Sequence, residues 1–73
     1  MSKAFRITLE AARVNAGLSQ EEAAKKAGVT RFTIANWENG KTRISNAQAL
    51  GLANIYGIPL EHIFLPVEFP KSK

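Results

Sequence analysis

The segment from residue 19 to residue 43 constrains the fold most, because it predicts two short helices joined by a tight turn. Ser19 is placed to cap the first helix, and Glu22, three residues later, completes a capping box. Gly28 ends that helix, since a glycine there can adopt the left-handed conformation that redirects the chain. Thr30 then caps the second helix. The segment therefore predicts two helices with a short connection.

The second helix, expected over residues 31–39, has two chemically different faces at about 100° per residue. Ile34 and Trp37 fall on one face, where we expect them to pack into the core. The opposite face presents Arg31, Phe32, Ala35, Asn36 and Asn39. A guanidinium, an amide, a methyl group and an aromatic ring suit the base-pair edges in the major groove of DNA. Lys41 and Arg43 follow directly, in position to contact phosphate.

The chain resembles helix-turn-helix proteins of the phage Cro and repressor type, also known as the xenobiotic-response-element family. The similarity runs from about Leu9 to Phe64 and is densest in AARVNAGLSQEEAAKKAGVTRFTIANWENGKT. The local sequence of this segment is especially similar to that of small regulators from Gram-positive phages and mobile elements. The resemblance implies an all-α, lambda-repressor-like domain of five short helices, with residues 31–39 as the recognition helix and residues 20–27 crossing above it.

The resemblance also implies roles for single residues. By position, Arg31, Phe32 and Asn36 match the base-reading residues of the family, and Gln20 matches its phosphate-contacting residue. Together with the exposed face, this gives base contacts from Arg31, Phe32, Ala35 and Asn36, and phosphate contacts from Gln20, Thr30, Asn39, Lys41 and Arg43. Arg13 and Glu38 match a pair that, in several relatives, joins the first helix to the end of the recognition helix by an ion pair.

Several of these residues have a second interpretation. Phe32 stands where a polar base reader is frequent, so we expect contact with a thymine methyl group in place of a hydrogen bond. Its ring could equally fold back on Val29. Arg31 and Asn36 could belong to an ordinary solvated face, although base contact is favoured. Trp37 could stack on single-stranded bases, but its position on the opposite face favours core packing.

Length and composition indicate one small domain, at residues 1–65, followed by a short tail at residues 66–73. A chain of 73 residues buries only about 60% of its unfolded surface, which leaves little room for a deep catalytic cavity. The formal net charge of +4 favours a polyanionic partner. The absence of cysteine, of a secretory signal and of a long apolar stretch predicts a cytoplasmic protein without a disulfide framework or membrane span.

The remaining sequence predicts further short helices. Thr8 begins the first helix, which places Leu9, Ala12 and Ala16 inward. Ser45 caps a fourth helix at residues 46–56, with an apolar stripe expected from Ala49, Leu50, Ala53, Ile55 and Tyr56. Pro59 opens a short fifth helix, in which Leu60, Ile63 and Phe64 recur at helical spacing.

Catalytic interpretations are weak. Gly40, Lys41 and Thr42 resemble the end of a phosphate-binding loop, but the glycine required five residues earlier is replaced by Ala35 within a helix. His62 is the single histidine and has no cysteine partner for a metal site. The sequence therefore predicts no enzyme activity, no cofactor, no metal and no small-molecule ligand.

We expect a DNA-binding transcriptional regulator that represses by occupying an operator as a homodimer. One recognition helix reads few base pairs, so specific binding is expected to need two protomers. The predicted interface is apolar and C-terminal: Leu60, Ile63, Phe64, Leu65, Val67 and Phe69. Two alternatives remain, a protein-binding antitoxin or adaptor on the same scaffold and, much weaker, a small hydrolase or nucleotide-binding fragment.

Overall fold

The computed structural model describes residues 6–65. In that range the chain forms four α-helices: α1 (Leu9–Asn15), α2 (Gln20–Ala27), α3 (Arg31–Asn39) and α4 (Asn46–Tyr56). A 3₁₀ turn at Leu60–His62 follows α4, and two short strands, β1 (Ile7–Thr8) and β2 (Ile63–Phe64), pair in parallel. None of the helices in this range has the length and apolar content needed to cross a lipid bilayer.

Side-chain caps fix where the helices begin. The hydroxyls of Thr8 and Thr30 accept hydrogen bonds from backbone N–H groups in the first turns of α1 and α3. Ser19 and Ser45 form complete capping boxes with residues three positions later. In the first box, the backbone N–H and the hydroxyl of Ser19 hold the pKa of Glu22 below its ordinary value. The predicted bounds of α2, α3 and α4 are confirmed at both ends, since these helices begin directly after their caps and end at the predicted residues.

The core lies between the four helices and contains many small side chains. Leu9 and Ile34 are the largest fully buried side chains, and Trp37 packs beside them. Alanines fill much of the remaining space: Ala12, Ala23, Ala24, Ala49 and Ala53. Because alanine adds little bulk, the helices can approach closely, and the larger side chains of α3 then complete the packing. This arrangement buries one face of α3 and leaves the other accessible.

The predicted fifth helix is wrong, because the described residues after Pro59, which end at residue 65, form a single 3₁₀ turn in its place. Ile63 follows that turn with an extended backbone, at φ −108° and ψ 128°, and pairs with Ile7 in the strand register. β-branched isoleucine suits this extended conformation. The short parallel strand pair therefore replaces the last predicted helix and joins the two ends of the described chain.

Two predicted core positions are also wrong. Ala16 lies past the end of α1 and is exposed, while Arg13 occupies the inward position. On α4, Leu50 is 50% exposed and Leu52 is buried instead. Leu52 lies three residues after Ala49, so these two share one helix face, whereas Leu50 points about 100° away from it.

Candidate nucleic-acid interface

The two faces of α3 differ in exposure as the sequence predicted. Ile34 and Trp37 are buried, whereas Phe32 on the other side is 68% exposed. Arg31 and Asn39 are exposed as well. Ala35 and Asn36 are half-buried and lie between these ends of the helix. The outward face therefore begins with two exposed side chains, a guanidinium and an aromatic ring, and continues with a methyl group and an amide.

Arg31 and Phe32 contact one another on this face. The guanidinium carbon of Arg31 lies 5.0 Å from the centre of the Phe32 ring, within the range of a cation–π interaction. Phe32 is 68% exposed, so its ring is accessible to a partner. Sequence reasoning placed both residues on the outward face but missed their stacking.

The electrostatics of α3 favour an anionic partner. Its first turn carries no acidic side chain, whereas those of α1 and α2 carry glutamates. A helix N-terminus is electropositive, and here its charge is left unneutralised and is reinforced by Arg31. Glu38, the one carboxylate of α3, is turned into the protein, where its side chain is 5% exposed. The outward face of α3 therefore carries positive charge without a compensating carboxylate.

The predicted phosphate contacts surround this face. Lys41 follows the left-handed Gly40 at the end of α3, and its backbone N–H donates to the carbonyl of Asn36 at 2.9 Å. Its side chain and that of Arg43 are exposed. Thr30 is exposed at the other end of α3, although its hydroxyl already caps the helix and contacts Thr33 at 3.0 Å.

An ion pair fixes the rear of α3 to α1, as the resemblance implied. The Nε of Arg13 donates to Oε2 of Glu38 at 2.7 Å, and Nη2 of Arg13 donates to Oε1 at 3.3 Å. Nη1 donates to the backbone carbonyl of Leu18 at 2.9 Å, in the loop before α2. The hydrogen bonding of Arg13 to the Glu38 carboxylate is the main reason why the pKa of Arg13 is raised. One arginine thus holds α1, α3 and the loop between α1 and α2 together.

Arg13, Glu38 and Gln20 form one hydrogen-bonded cluster, and the sequence did not predict that Gln20 belongs to it. Its amide Nε2 donates to Oε1 of Glu38 at 3.0 Å. Gln20 is the first residue of α2, so this bond links the start of α2 to the last turn of α3. One amide hydrogen is used by Glu38, and the NH₂ group retains a second donor for the predicted phosphate contact.

Tyr56 lies close to this cluster. Its phenol oxygen is buried and has no hydrogen-bond partner within residues 6–65. The pKa of Tyr56 is raised to about 12, mainly because the phenol is buried. The negative charge of Glu38 also raises this pKa, and the positive charge of Arg13 lowers it. A hydrogen-bonded ion pair therefore lies close to a buried hydroxyl that has no partner among the described residues.

The predicted dimer residues do not form one exposed surface. Ile63 is buried in the core, so it is not available to a partner in this conformation, because it packs inward from β2. Phe64 is 45% exposed, and Leu60 and Leu65 are half-buried. Val67 and Phe69 lie outside the described residues.

The metal-ligating side chains of the described residues do not come together in one place. Within residues 6–65, the histidine and carboxylate side chains form no group of three that could hold a metal ion. His62 is half-buried in the 3₁₀ turn.

Comparison with known proteins agrees with this geometry. The family model described as Helix-turn-helix matches residues 9–63. An uncharacterized HTH-type transcriptional regulator of Methanocaldococcus jannaschii is 44% identical over 48 residues, covering 66% of this chain and 73% of the relative. Two regulators of the same description from Archaeoglobus fulgidus are 40% identical over 53 residues and 35% identical over 61 residues. These matches cover 73% and 84% of this chain, and 76% and 86% of the relatives.

The chain belongs to the helix-turn-helix family. The matched range contains all four α-helices and ends at the first residue of β2. The two helices of the helix-turn-helix motif are α2 and α3, and Gly28, with φ 74°, begins the turn between them.

Proposed function

We propose that this helix-turn-helix protein binds double-stranded DNA in a sequence-specific manner and regulates transcription, acting as a repressor that occupies an operator as a homodimer. The observation that carries the proposal is the outward face of α3. Arg31 and Phe32 are accessible there, Asn36 lies one turn further along, and the one carboxylate of the helix is turned inward. The relatives named as transcriptional regulators support the same role.

In the proposed complex, α3 lies in the major groove. The guanidinium of Arg31 suits the O6 and N7 acceptors of guanine, and the amide of Asn36 suits the N6 and N7 groups of adenine. Ala35 and Phe32 present apolar surface that suits a thymine methyl group. Each of these contacts would distinguish one base pair from another, so the sequence preference would arise from α3.

Phosphate contacts would fix the orientation of α3 without reading sequence. Lys41 and Arg43 follow the end of α3, and Gln20 starts α2 on the side of the Arg13–Glu38 ion pair. The remaining proposed contacts are Thr30 and Asn39, one at each end of α3. Firm anchoring of α3 to the rest of the domain suits this role, because base-specific hydrogen bonds depend on accurate placement of their donors.

The dimer is proposed because one recognition helix reads only a few base pairs. We propose that the partner docks through the C-terminal segment, where Phe64 is exposed and Leu60 and Leu65 are half-buried. Val67 and Phe69 remain part of the predicted interface, whereas Ile63 is assigned to the core. An origin in a phage or mobile element, location in the cytoplasm and the absence of enzyme activity stay predictions that accompany this role.

Selection of bound duplexes from a random pool tests the proposal. The full-length protein should enrich a preferred sequence, and raising the salt concentration should weaken binding to all duplexes while leaving the preferred sequence ahead. Binding without any sequence preference would contradict the proposal. Absence of duplex binding at low salt would favour the alternative, a protein-binding module on the same scaffold.

A further inference from the structure

The stacking of Arg31 on Phe32 makes two neighbouring side chains into one structural unit. The guanidinium carbon lies 5.0 Å from the ring centre, and both residues are in the first turn of α3. An arginine side chain loses considerable rotamer freedom when it is fixed by a ligand. Contact with the ring restricts that freedom before DNA is bound, so Arg31 is partly preorganised. Phe32 itself remains 68% exposed, so it stays accessible to a partner beside Arg31.

The separation of the two groups limits which bases they can reach together. Successive base pairs of a duplex are about 3.4 Å apart along the helix axis. Two groups with centres 5.0 Å apart therefore face the same base pair or adjacent base pairs when α3 lies in the groove. The guanidinium matches the two acceptors of guanine, whereas the ring has no hydrogen-bonding atom. The apolar group on the major-groove edges that suits such a ring is the C5 methyl of thymine.

The geometry points to Arg31 and Phe32 as a joint reader of two adjacent base pairs, a guanine bound by Arg31 and a thymine whose methyl group packs on Phe32. This inference rests on the proposed function, since it specifies what the same face of α3 recognises. It has a consequence for DNA modification. Because 5-methylcytosine carries a methyl group at the same ring position, methylation of a cytosine at the thymine position supplies the contact that unmodified cytosine lacks.

The test uses the full-length protein and the duplex that it selects from a random pool. Each thymine that neighbours a guanine is replaced, one at a time, by uracil, which removes the methyl group and keeps the pairing. At one such position in each half-site we expect affinity to fall about fourfold, the contribution of one buried methyl group. At that position, 5-methylcytosine should bind better than cytosine by a similar factor.

Protein variants assign the effect to the stacked pair. In Phe32→Ala, the affinity ratio of thymine over uracil should fall to about one, since the methyl group loses its partner. Phe32→Leu should keep part of this ratio because leucine is apolar, but it removes the cation–π contact. The preference of Arg31 for guanine over 7-deazaguanine, which lacks the N7 acceptor, should then weaken. Val14→Ala removes an exposed aliphatic side chain of α1 and should keep both ratios.

The outcomes separate this inference from the function on which it rests. A selected site at which every uracil replacement next to guanine is silent would overturn the joint reader and leave specific DNA binding standing. So would a Phe32→Ala variant that is folded by circular dichroism and still distinguishes thymine from uracil. Failure to select any preferred sequence would overturn the proposed function, and the joint reader with it.

Discussion

The guanidinium of Arg13 and the carboxylate of Glu38 are joined by two hydrogen bonds, at 2.7 and 3.3 Å, although the residues are 25 positions apart in the chain. Their side chains are only 10% and 5% exposed. The pair connects α1 to the last turn of α3, and Gln20 extends it to the start of α2. The helix that carries the proposed base-reading face is therefore anchored through its buried side.

Breaking this pair should be costly. We expect Arg13→Ala and Glu38→Ala each to destabilise the protein by about 3 kcal/mol, because each leaves a desolvated charge without its partner. The double variant should lose less than the sum of the two, with a coupling energy of about 1 to 3 kcal/mol. Urea unfolding of the four proteins measures this cycle. Glu61→Ala, which removes an exposed carboxylate, is the control, and zero coupling would mean that the pair contributes no energy.

Tyr56→Phe should stabilise the protein by about 1 kcal/mol near neutral pH, because it removes a buried hydroxyl that has no partner among the described residues. The parent should lose stability between about pH 10 and 12. In that window the unfolded tyrosine releases its proton at the ordinary pKa of 10.0, whereas the folded tyrosine, with a pKa of about 12, retains it. Unfolding free energies across this range, compared between the two proteins, check both effects. A Tyr56→Phe variant that is less stable than the parent protein near neutral pH would show that the buried hydroxyl does not destabilise the fold.

Alanine substitution should have opposite effects at two glycines. Gly28 has φ 74°, so Gly28→Ala should destabilise the turn between α2 and α3 by about 1 kcal/mol through backbone strain. Gly51 lies within α4, and Gly51→Ala should stabilise by about 0.5 to 1 kcal/mol because alanine favours helix. A Cβ atom at either position would meet nothing within 4 Å, so clashes do not confuse the comparison. Thermal unfolding measures both, and effects of the same sign would contradict this explanation.

The proposed dimer can be tested at its exposed aromatic residue. Phe64→Glu should weaken self-association, because a two-fold interface would place the two introduced carboxylates near each other. Val14→Glu adds the same charge at another exposed apolar position and should leave the dimer intact. Light scattering over a concentration series distinguishes the variants. If both variants remain dimers, the interface does not include Phe64. If the parent protein binds its selected site as a monomer, the proposed dimer is wrong.

The helices around the motif were predictable from the sequence because their signals are local. Ser19 and Glu22 are three residues apart, and Gly28 follows directly where the helix ends. The resemblance also gave the Arg13–Glu38 pair correctly, which neither spacing nor periodicity could have done. The base and phosphate contacts stay predictions, since they depend on a DNA partner.

The features that were missed depend on contacts between distant parts of the chain. Ile7 and Ile63 pair as strands, but two-residue strands are too short to show an alternating pattern. The hydrogen bond from Gln20 to Glu38 joins two polar residues whose types are common on any exposed surface. On α4, the predicted apolar stripe includes Leu50 in place of Leu52, because apolar residues occur on more than one side of this helix and only its packing decides which side is buried.

The affinities of Arg31→Ala and Lys41→Ala for DNA show whether the outward face of α3 reads the base sequence. Each variant is measured on the selected duplex and on a random duplex, at two salt concentrations. Arg31→Ala should lose about 1 to 3 kcal/mol on the selected duplex and relax the preference at one base pair. Lys41→Ala should weaken both duplexes alike and reduce the salt dependence, as expected for one lost phosphate contact. If Arg31→Ala loses the same affinity on the selected and the random duplex, Arg31 does not read the base sequence.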